Sequence, residues 1–216
     1  MALRDGSFAS NTGFMAACER VKGNREKEKS IIKNSLGQSH EFIRKAVKEG
    51  DTVIDATAGN GGDTLFLAKL VGNAGKVYSF DIQAKAHENT RDKLNSANLQ
   101  GQVEQIQDGH QNMDRYVKEE VRAVMFNLGY LPGGDHDIGT KGDTTAEAIK
   151  KAMDLLAVNG IITIVVYYGG DSGFGEKEFI LEYIEGIDNR QYTVMRTEFV
   201  NQINCPPILI CIERLF

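Results

Sequence analysis

The segment DATAGNGGDT, residues 55–64, decides the fold, because it joins a short apolar run to an amphipathic segment. Its glycines Gly59, Gly61 and Gly62 let the backbone turn tightly and approach a ligand closely. Such a turn is typical of the first connection in a ligand-binding strand–helix–strand unit, although an ordinary strand-to-helix turn is the alternative.

The sequence around this loop alternates between short apolar runs and longer amphipathic segments. Repeated strand–helix–strand units predict an α/β fold with a mostly parallel sheet, helices on both faces and right-handed crossovers. The predicted strands are 52–56, 76–80, 103–106, 121–126, 161–166, 192–199 and 208–212, and the predicted helices are 38–47, 63–70, 84–97 and 145–156.

The end of the chain departs from this rhythm. Only the turn-like segment 201–207 separates the last two predicted strands, which is too short for a crossover helix. An antiparallel hairpin at one edge of a seven-stranded sheet is therefore expected. This is by analogy the Rossmann-like arrangement of class I methyltransferases.

Length and composition indicate a single domain. The chain has 216 residues, of which 41% are hydrophobic, and we expect the domain to span 31–216 after a polar, flexible arm at 1–30. The sequence shows no apolar run of about 20 residues and no signal-peptide pattern, so we expect a cytoplasmic protein that does not enter the membrane. The oligomeric state stays open, with a homodimer as one alternative.

Charge and cysteine content exclude several functions. A net charge of -5 argues against non-specific coating of nucleic acid. This net charge still leaves room for a local basic face around Lys141, Lys150 and Lys151. The three cysteines form no CxxC pair and lie near no histidine cluster, so neither a disulfide framework nor a metal site is predicted.

The glycine loop favours S-adenosylmethionine over a dinucleotide. Thr64 replaces the third glycine of the dinucleotide pattern, and Asp63 places a carboxylate where a pyrophosphate would bind. S-adenosylmethionine carries no phosphate, and its sulfonium and ammonium groups tolerate nearby carboxylates.

Acidic residues follow the next two predicted strands. Asp81 lies where an acid accepts hydrogen bonds from ribose hydroxyls, and Asp108 lies where an adenine amino group is expected. Helix capping is the alternative role for each, and a polar loop residue is the alternative for His110. The predicted cofactor-binding residues are Asp55, Ala56, Gly59, Asn60, Gly61, Asp63, Thr64, Asp81, Ile82, Gln83, Asp108, Gly109 and His110.

The fourth predicted strand runs into a candidate catalytic loop, NLGYLPGGD, residues 127–135. It resembles the (Asn/Asp)-Pro-Pro-Tyr loop of amino-methylating enzymes, in which an amide oxygen holds the target nitrogen and an aromatic ring stacks on the base. Asn127 and Tyr130 match that pattern, whereas Leu128 and Gly129 replace the two prolines. The alternative is that Asn127 closes a turn and Tyr130 packs.

Together, DATAGNGGDT, FDIQ (80–83), FNLGYLPGGD (126–135) and NQINCPP (201–207) resemble the bacterial family labelled rRNA methylases over residues 31–216. That resemblance implies methyl transfer from S-adenosylmethionine to 5-aminomethyl-2-thiouridine at the tRNA wobble position, giving 5-methylaminomethyl-2-thiouridine. It implies catalytic roles for Asn127 and Tyr130. We expect water or His136 to accept the released proton, with a polar loop residue as the alternative for His136. The implied substrate contacts are Asp135, His136, Asn201, Gln202 and Asn204.

Other functions remain open from the sequence alone. An rRNA base methyltransferase is the first alternative and a small-molecule methyltransferase is the second. A non-catalytic nucleotide-binding module would keep the glycine loop but would not need the pair Asn127 and Tyr130.

Overall fold

Seven strands form one sheet in this computed structural model. The structure describes residues 30–129, 142–168 and 173–216, and at 173 and 174 it describes the backbone alone. The strands are β1 (Thr52–Asp55), β2 (Lys76–Phe80), β3 (Val103–Ile106), β4 (Val121–Leu128), β5 (Leu156–Val166), β6 (Tyr192–Thr197) and β7 (Ile208–Arg214). The helices are α1 (Ser35–Ala46), α2 (Gly62–Val71), α3 (Ala84–Ala97), α4 (Met113–Tyr116), α5 (Gly142–Leu155) and α6 (Gly173–Glu185), with 3-10 turns at Gln100–Gln102 and His110–Asn112. Of the predicted arm at 1–30, residues 1–29 lie outside the described residues, so its flexibility stays a prediction.

The strand order across the sheet is β3-β2-β1-β4-β5-β7-β6. The pairs from β3 to β5 are parallel, whereas β7 runs antiparallel to both β5 and β6. The predicted fold, a mostly parallel seven-stranded sheet with an antiparallel hairpin at the end of the chain, is confirmed.

The two faces of the sheet bury separate apolar layers. Successive side chains of a strand point to opposite faces, so Val53 joins one layer and Ile54 joins the other. The layer around Val53 includes Ile43, Leu67 and Leu94 from α1, α2 and α3. The layer around Ile54 includes residues of α4, α5 and α6. Any strand residue in phase with Val53 therefore faces α1, α2 and α3.

Several helices differ from the sequence prediction: α2 spans 62–71 instead of 63–70, α5 spans 142–155 instead of 145–156, and the short α4 was not predicted. Helix α1 begins at Ser35 and not at Gln38, because the Asn34 side chain caps it by accepting a hydrogen bond from Gly37 N at 2.9 Å. Helix α6 was not predicted. Two glycines near its start and adjacent apolar residues in its middle hide the helical period, although Ile180 and Ile184, four residues apart, are both buried.

No helix within the described ranges is both long and apolar enough to cross a bilayer.

Candidate active site at the carboxyl edge of the sheet

A crevice is expected where β1 and β4 lie side by side. From β1 the chain proceeds outward to β2 and β3, whereas β4 and β5 lie on the other side of β1. Ligands of open α/β sheets bind outside the carboxyl ends of the strands at such a reversal. Asp55 ends β1 and Asn127 precedes the last residue of β4, so both residues border this position.

The glycine loop is held tightly against its surroundings. Ala58 N donates to Phe80 O at 2.8 Å, and Gly61 N donates to Ala58 O at 2.7 Å. Gly59 and Gly61 have positive φ values of 51° and 72°, which favour glycine. A Cβ at Gly61 would lie 2.7 Å from the Thr90 Cα, so Gly61 also lets α3 pack against the loop.

Alanine substitutions at two neighbouring glycines test this packing. Gly61→Ala should lower the free energy of unfolding by about 2 kcal/mol, because it combines a left-handed backbone with a clash against backbone atoms. Gly62→Ala is the matched control, because its Cβ would meet nothing within 4 Å, and its effect should stay within about 0.5 kcal/mol. Urea unfolding of both variants measures the difference, and equal losses would contradict the packing described for Gly61.

Asp81 joins the glycine loop to the start of α3. Its Oδ2 accepts a hydrogen bond from Gly59 N at 2.9 Å, and its Oδ1 accepts one from Gln83 N at 2.9 Å. Gln83, and not Asp81, is the N-cap residue of α3. The neighbouring Ile82 side chain is 55% exposed, so an apolar surface lies beside the Asp81 carboxylate.

The Asp108 side chain forms hydrogen bonds within its own segment of the chain. Its Oδ1 accepts hydrogen bonds from Gly109 N and Asn112 Nδ2, and its Oδ2 accepts one from Tyr116 OH at 2.9 Å. Burial raises the pKa of Asp108, but these hydrogen bonds outweigh it and hold that pKa below its ordinary value. The helix N-caps in this segment are Gly109 and Asn112, so Asp108 is not the helix cap that the sequence left open, and its ligand role stays a prediction.

His110 packs beneath the loop that follows β1. Its Nδ1 lies 3.2 Å from Ala56 O, and its ring meets Phe126 edge-on at 5.7 Å. Burial lowers the pKa of His110, which favours a neutral ring.

Asp55 is fully buried within a small polar cluster. Its Oδ2 accepts a hydrogen bond from Thr64 Oγ1 at 2.6 Å, and Thr64 Oγ1 lies 2.8 Å from Ser79 Oγ. Burial, followed by repulsion from Asp63, raises the pKa of Asp55. Two carboxyl groups thus share a desolvated corner, where a cationic ligand group would relieve their repulsion.

Asn127 lies in phase with Ala123 and Met125, so its side chain faces the layer that contains α1 and α2. Its backbone N donates to Thr57 Oγ1 at 2.7 Å, which fixes the end of β4 against the glycine loop. Its Nδ2 donates to Asp63 Oδ2 over a long 3.4 Å. Its Oδ1 is buried and lacks a hydrogen-bond partner among the described residues. A buried acceptor without a partner is costly, so this oxygen is suited to receive a donor from a ligand.

The predicted substrate contacts Asn201, Gln202 and Asn204 are exposed and belong to the loop between β6 and β7. Thr197 pairs with Leu209, Leu209 with Val165, and Val165 with Asn127, so this loop leaves the same edge of the sheet. Three strand spacings separate Thr197 from Asn127, which corresponds to roughly 14 Å along that edge. Tyr130, Asp135 and His136 lie outside the described residues.

Similarity to known proteins identifies the chain. A profile of the family described as "Putative rRNA methylase" matches residues 77–213. The chain belongs to this family.

Solved structures of similar proteins support the same assignment. A "putative rRNA-methylase" from Clostridium thermocellum is 61% identical with a TM-score of 0.85, covering 86% of this chain and 100% of that one. A "putative methyltransferase" from Streptococcus mutans, in complex with SAH, is 42% identical with a TM-score of 0.79, covering 86% of this chain and 100% of that one. The predicted S-adenosylmethionine-dependent methyltransferase is confirmed.

A plant relative adds a named reaction. The Arabidopsis thaliana protein named "tRNA (mnm(5)s(2)U34)-methyltransferase, chloroplastic" is 36% identical over 192 residues, which are 84% of this chain and 70% of that protein.

The structure adds three residues to the candidate site that sequence reasoning missed. Thr57 holds the backbone of Asn127, and His40 of α1 places Nε2 at 2.7 Å from Asp63 Oδ1. Tyr167 follows β5, is 43% exposed, and would lie 3.6 Å from a Cβ at Gly129. Burial and the charge of Asp63 raise the pKa of the Tyr167 hydroxyl. Thr57 could have been found as part of the DATAG stretch, whereas nothing local marks His40 or Tyr167.

Across the described residues, no group of three or more His, Cys, Asp or Glu side chains is arranged to hold a metal ion.

Proposed function

We propose that this methyltransferase acts on tRNA and methylates the aminomethyl nitrogen of 5-aminomethyl-2-thiouridine at the wobble position. The observation that carries the proposal is the buried Asn127 Oδ1 at the carboxyl edge of the sheet, an acceptor with no hydrogen-bond partner within 30–129, 142–168 and 173–216. The name of the Arabidopsis thaliana relative, a tRNA methyltransferase, supports the tRNA substrate.

The chemistry of the crevice fits S-adenosylmethionine. Two neighbouring buried carboxylates, Asp55 and Asp63, favour a ligand that carries positive charge and no phosphate. Asp81 presents a carboxylate for ribose hydroxyls, and the exposed Ile82 provides an apolar surface for the adenine ring. We therefore propose that the cofactor contacts lie in 55–64, 81–83 and 108–110.

The bound cofactor supplies a methyl group already activated by its sulfonium centre, so the protein mainly positions the attacking amine. Asn127 Oδ1 accepts one N–H of the neutral amine, which leaves the nitrogen lone pair free to attack. Thr57 fixes the backbone of Asn127, so the acceptor is held at the end of β4.

An exocyclic amine requires no covalent activation of the base. It is more basic than a ring nitrogen of uracil, so it must lose a proton but does not need a cysteine nucleophile. Cys211 is buried in β7, and burial raises the pKa of its thiol to about 12, which makes it a poor nucleophile.

Several finer points stay predictions from the sequence. Tyr130 is proposed to stack on the base, His136 or water to accept the released proton, and Asp135 to contact the substrate. Asn201, Gln202 and Asn204 are proposed to contact the tRNA from their exposed loop. A cytoplasmic location, the division at residue 30 and a homodimer as one oligomeric alternative also stay predictions.

Transfer of labelled methyl groups to three RNAs tests the proposal. The RNAs are tRNA from cells blocked after aminomethyl formation, tRNA without that group, and ribosomal RNA. We expect label only in the first, because only that RNA offers the exocyclic amine. Label in ribosomal RNA would instead favour rRNA base methylation, the alternative consistent with the family description. Equal label in both tRNAs would also contradict the proposal.

A further inference from the structure

His40, Asp63 and Asn127 come from α1, α2 and β4 and form a continuous series of side-chain contacts. His40 Nε2 lies 2.7 Å from Asp63 Oδ1, and Asn127 Nδ2 lies 3.4 Å from Asp63 Oδ2. The side chains of His40 and Asp63 are 22% and 8% exposed, so water competes little for the carboxylate between them.

The Asp63 carboxylate determines which way the Asn127 amide is turned. A carboxylate accepts hydrogen bonds and donates none, so its neighbours must present N–H groups. The Asn127 NH2 group therefore faces Asp63, and Oδ1 points away from it. A flipped amide would place two oxygens against each other.

His40 is held in position to fix that carboxylate. Its ring stacks on Phe66 with centroids 3.9 Å apart and planes 10° from parallel. The Arg44 guanidinium lies 4.8 Å from the centre of the same Phe66 ring. Stacking sets the plane of the imidazole, and Nε2 carries the hydrogen that Asp63 Oδ1 accepts.

We propose that His40 is a positioning residue, which holds Asp63 so that Asp63 turns the Asn127 amide oxygen toward the substrate amine. This inference rests on the role proposed above for Asn127. Asp63 then also acts on Asn127, in addition to the cofactor role predicted for it from the sequence.

Two substitutions at His40 separate hydrogen bonding from packing. His40→Phe keeps an aromatic ring on Phe66 and loses the N–H, whereas His40→Gln keeps an N–H donor and loses the stacked ring. We expect His40→Phe to lower kcat on aminomethyl tRNA about tenfold, with KM and the cofactor Kd within about twofold of wild type. His40→Gln should retain most of kcat. A purely structural role predicts the reverse order, with the glutamine variant more damaged than the phenylalanine variant.

A measurement without RNA keeps the inference testable if the proposed substrate is wrong. In 15N-labelled protein, the Asn127 side-chain amide signal is identified by its loss in Asn127→Ala. His40→Phe should shift this signal, and His40→Gln should leave it near its wild-type position. An Asn127 amide signal that is unaffected by His40→Phe would overturn the inference. Weaker cofactor binding with an unchanged kcat in His40→Phe would overturn it as well. Failure of wild-type protein to methylate aminomethyl tRNA would contradict only the proposed function.

Discussion

Asn127→Ala is expected to lower turnover by about a hundredfold while leaving the cofactor Kd nearly unchanged. The substitution removes Oδ1, the buried acceptor that is available to orient the amine. It also removes the contact with Asp63, but the hydrogen bond from Asn127 N to Thr57 Oγ1 is made by the backbone and persists. Single-turnover rates with saturating cofactor, together with SAH calorimetry, separate the chemical step from binding.

Asn95→Ala is the control for the Asn127 substitution. Asn95 is exposed on α3, and alanine is favourable in a helix, so neither turnover nor stability should decrease. A near-normal single-turnover rate in Asn127→Ala would contradict the role assigned to its amide oxygen.

Asp81→Ala should weaken SAH binding by about one to two decades, or roughly 1.5 to 3 kcal/mol. The carboxylate is proposed to accept from the ribose hydroxyls, and it also accepts from Gly59 N and Gln83 N. Its loss therefore removes a ligand contact and loosens the loop that frames the site. Calorimetry with SAH measures the change, and NAD should give no binding to the wild-type protein.

Asp92→Ala is the matched control for the Asp81 substitution. Asp92 is an exposed acid on α3 and has the same formal charge, so its removal tests whether charge alone affects binding. The SAH affinity of this variant should stay at the wild-type value. An unchanged Kd in Asp81→Ala would remove Asp81 from the cofactor site.

Local patterns predicted most of the fold because they depend on neighbouring residues. β2, α3 and β3 have the predicted bounds: β2 is a continuous buried run after its first residue, and the buried residues Ala86, Thr90 and Leu94 repeat every four positions along α3. β4 extends two residues beyond its predicted end at Phe126. The polar Asn127 interrupts the apolar run there, although it continues the strand and faces the layer that contains α1 and α2.

The candidate site was less accessible to sequence reasoning. The glycine loop and Asp81 could be selected because their spacing follows from a single strand–helix–strand unit, and their hydrogen bond joins residues 22 positions apart. The contact between His40 and Asp63 depends on how α1 and α2 are placed on the same face of the sheet, which no local pattern encodes. Tyr167 reaches the site only because β5 pairs with β4, so that Tyr167 N donates to Leu128 O at 3.1 Å.

The central claim is that the crevice at Asn127 methylates an exocyclic amine. Tandem mass spectrometry of nucleosides from aminomethyl tRNA, after reaction with the purified protein and S-adenosylmethionine, tests it most directly. The account predicts that 5-aminomethyl-2-thiouridine is converted to 5-methylaminomethyl-2-thiouridine, with the added methyl group on the side-chain nitrogen. The same product should be strongly reduced with Asn127→Ala and unchanged with Asn95→Ala. A methyl group on a ring atom or on the ribose would contradict the account.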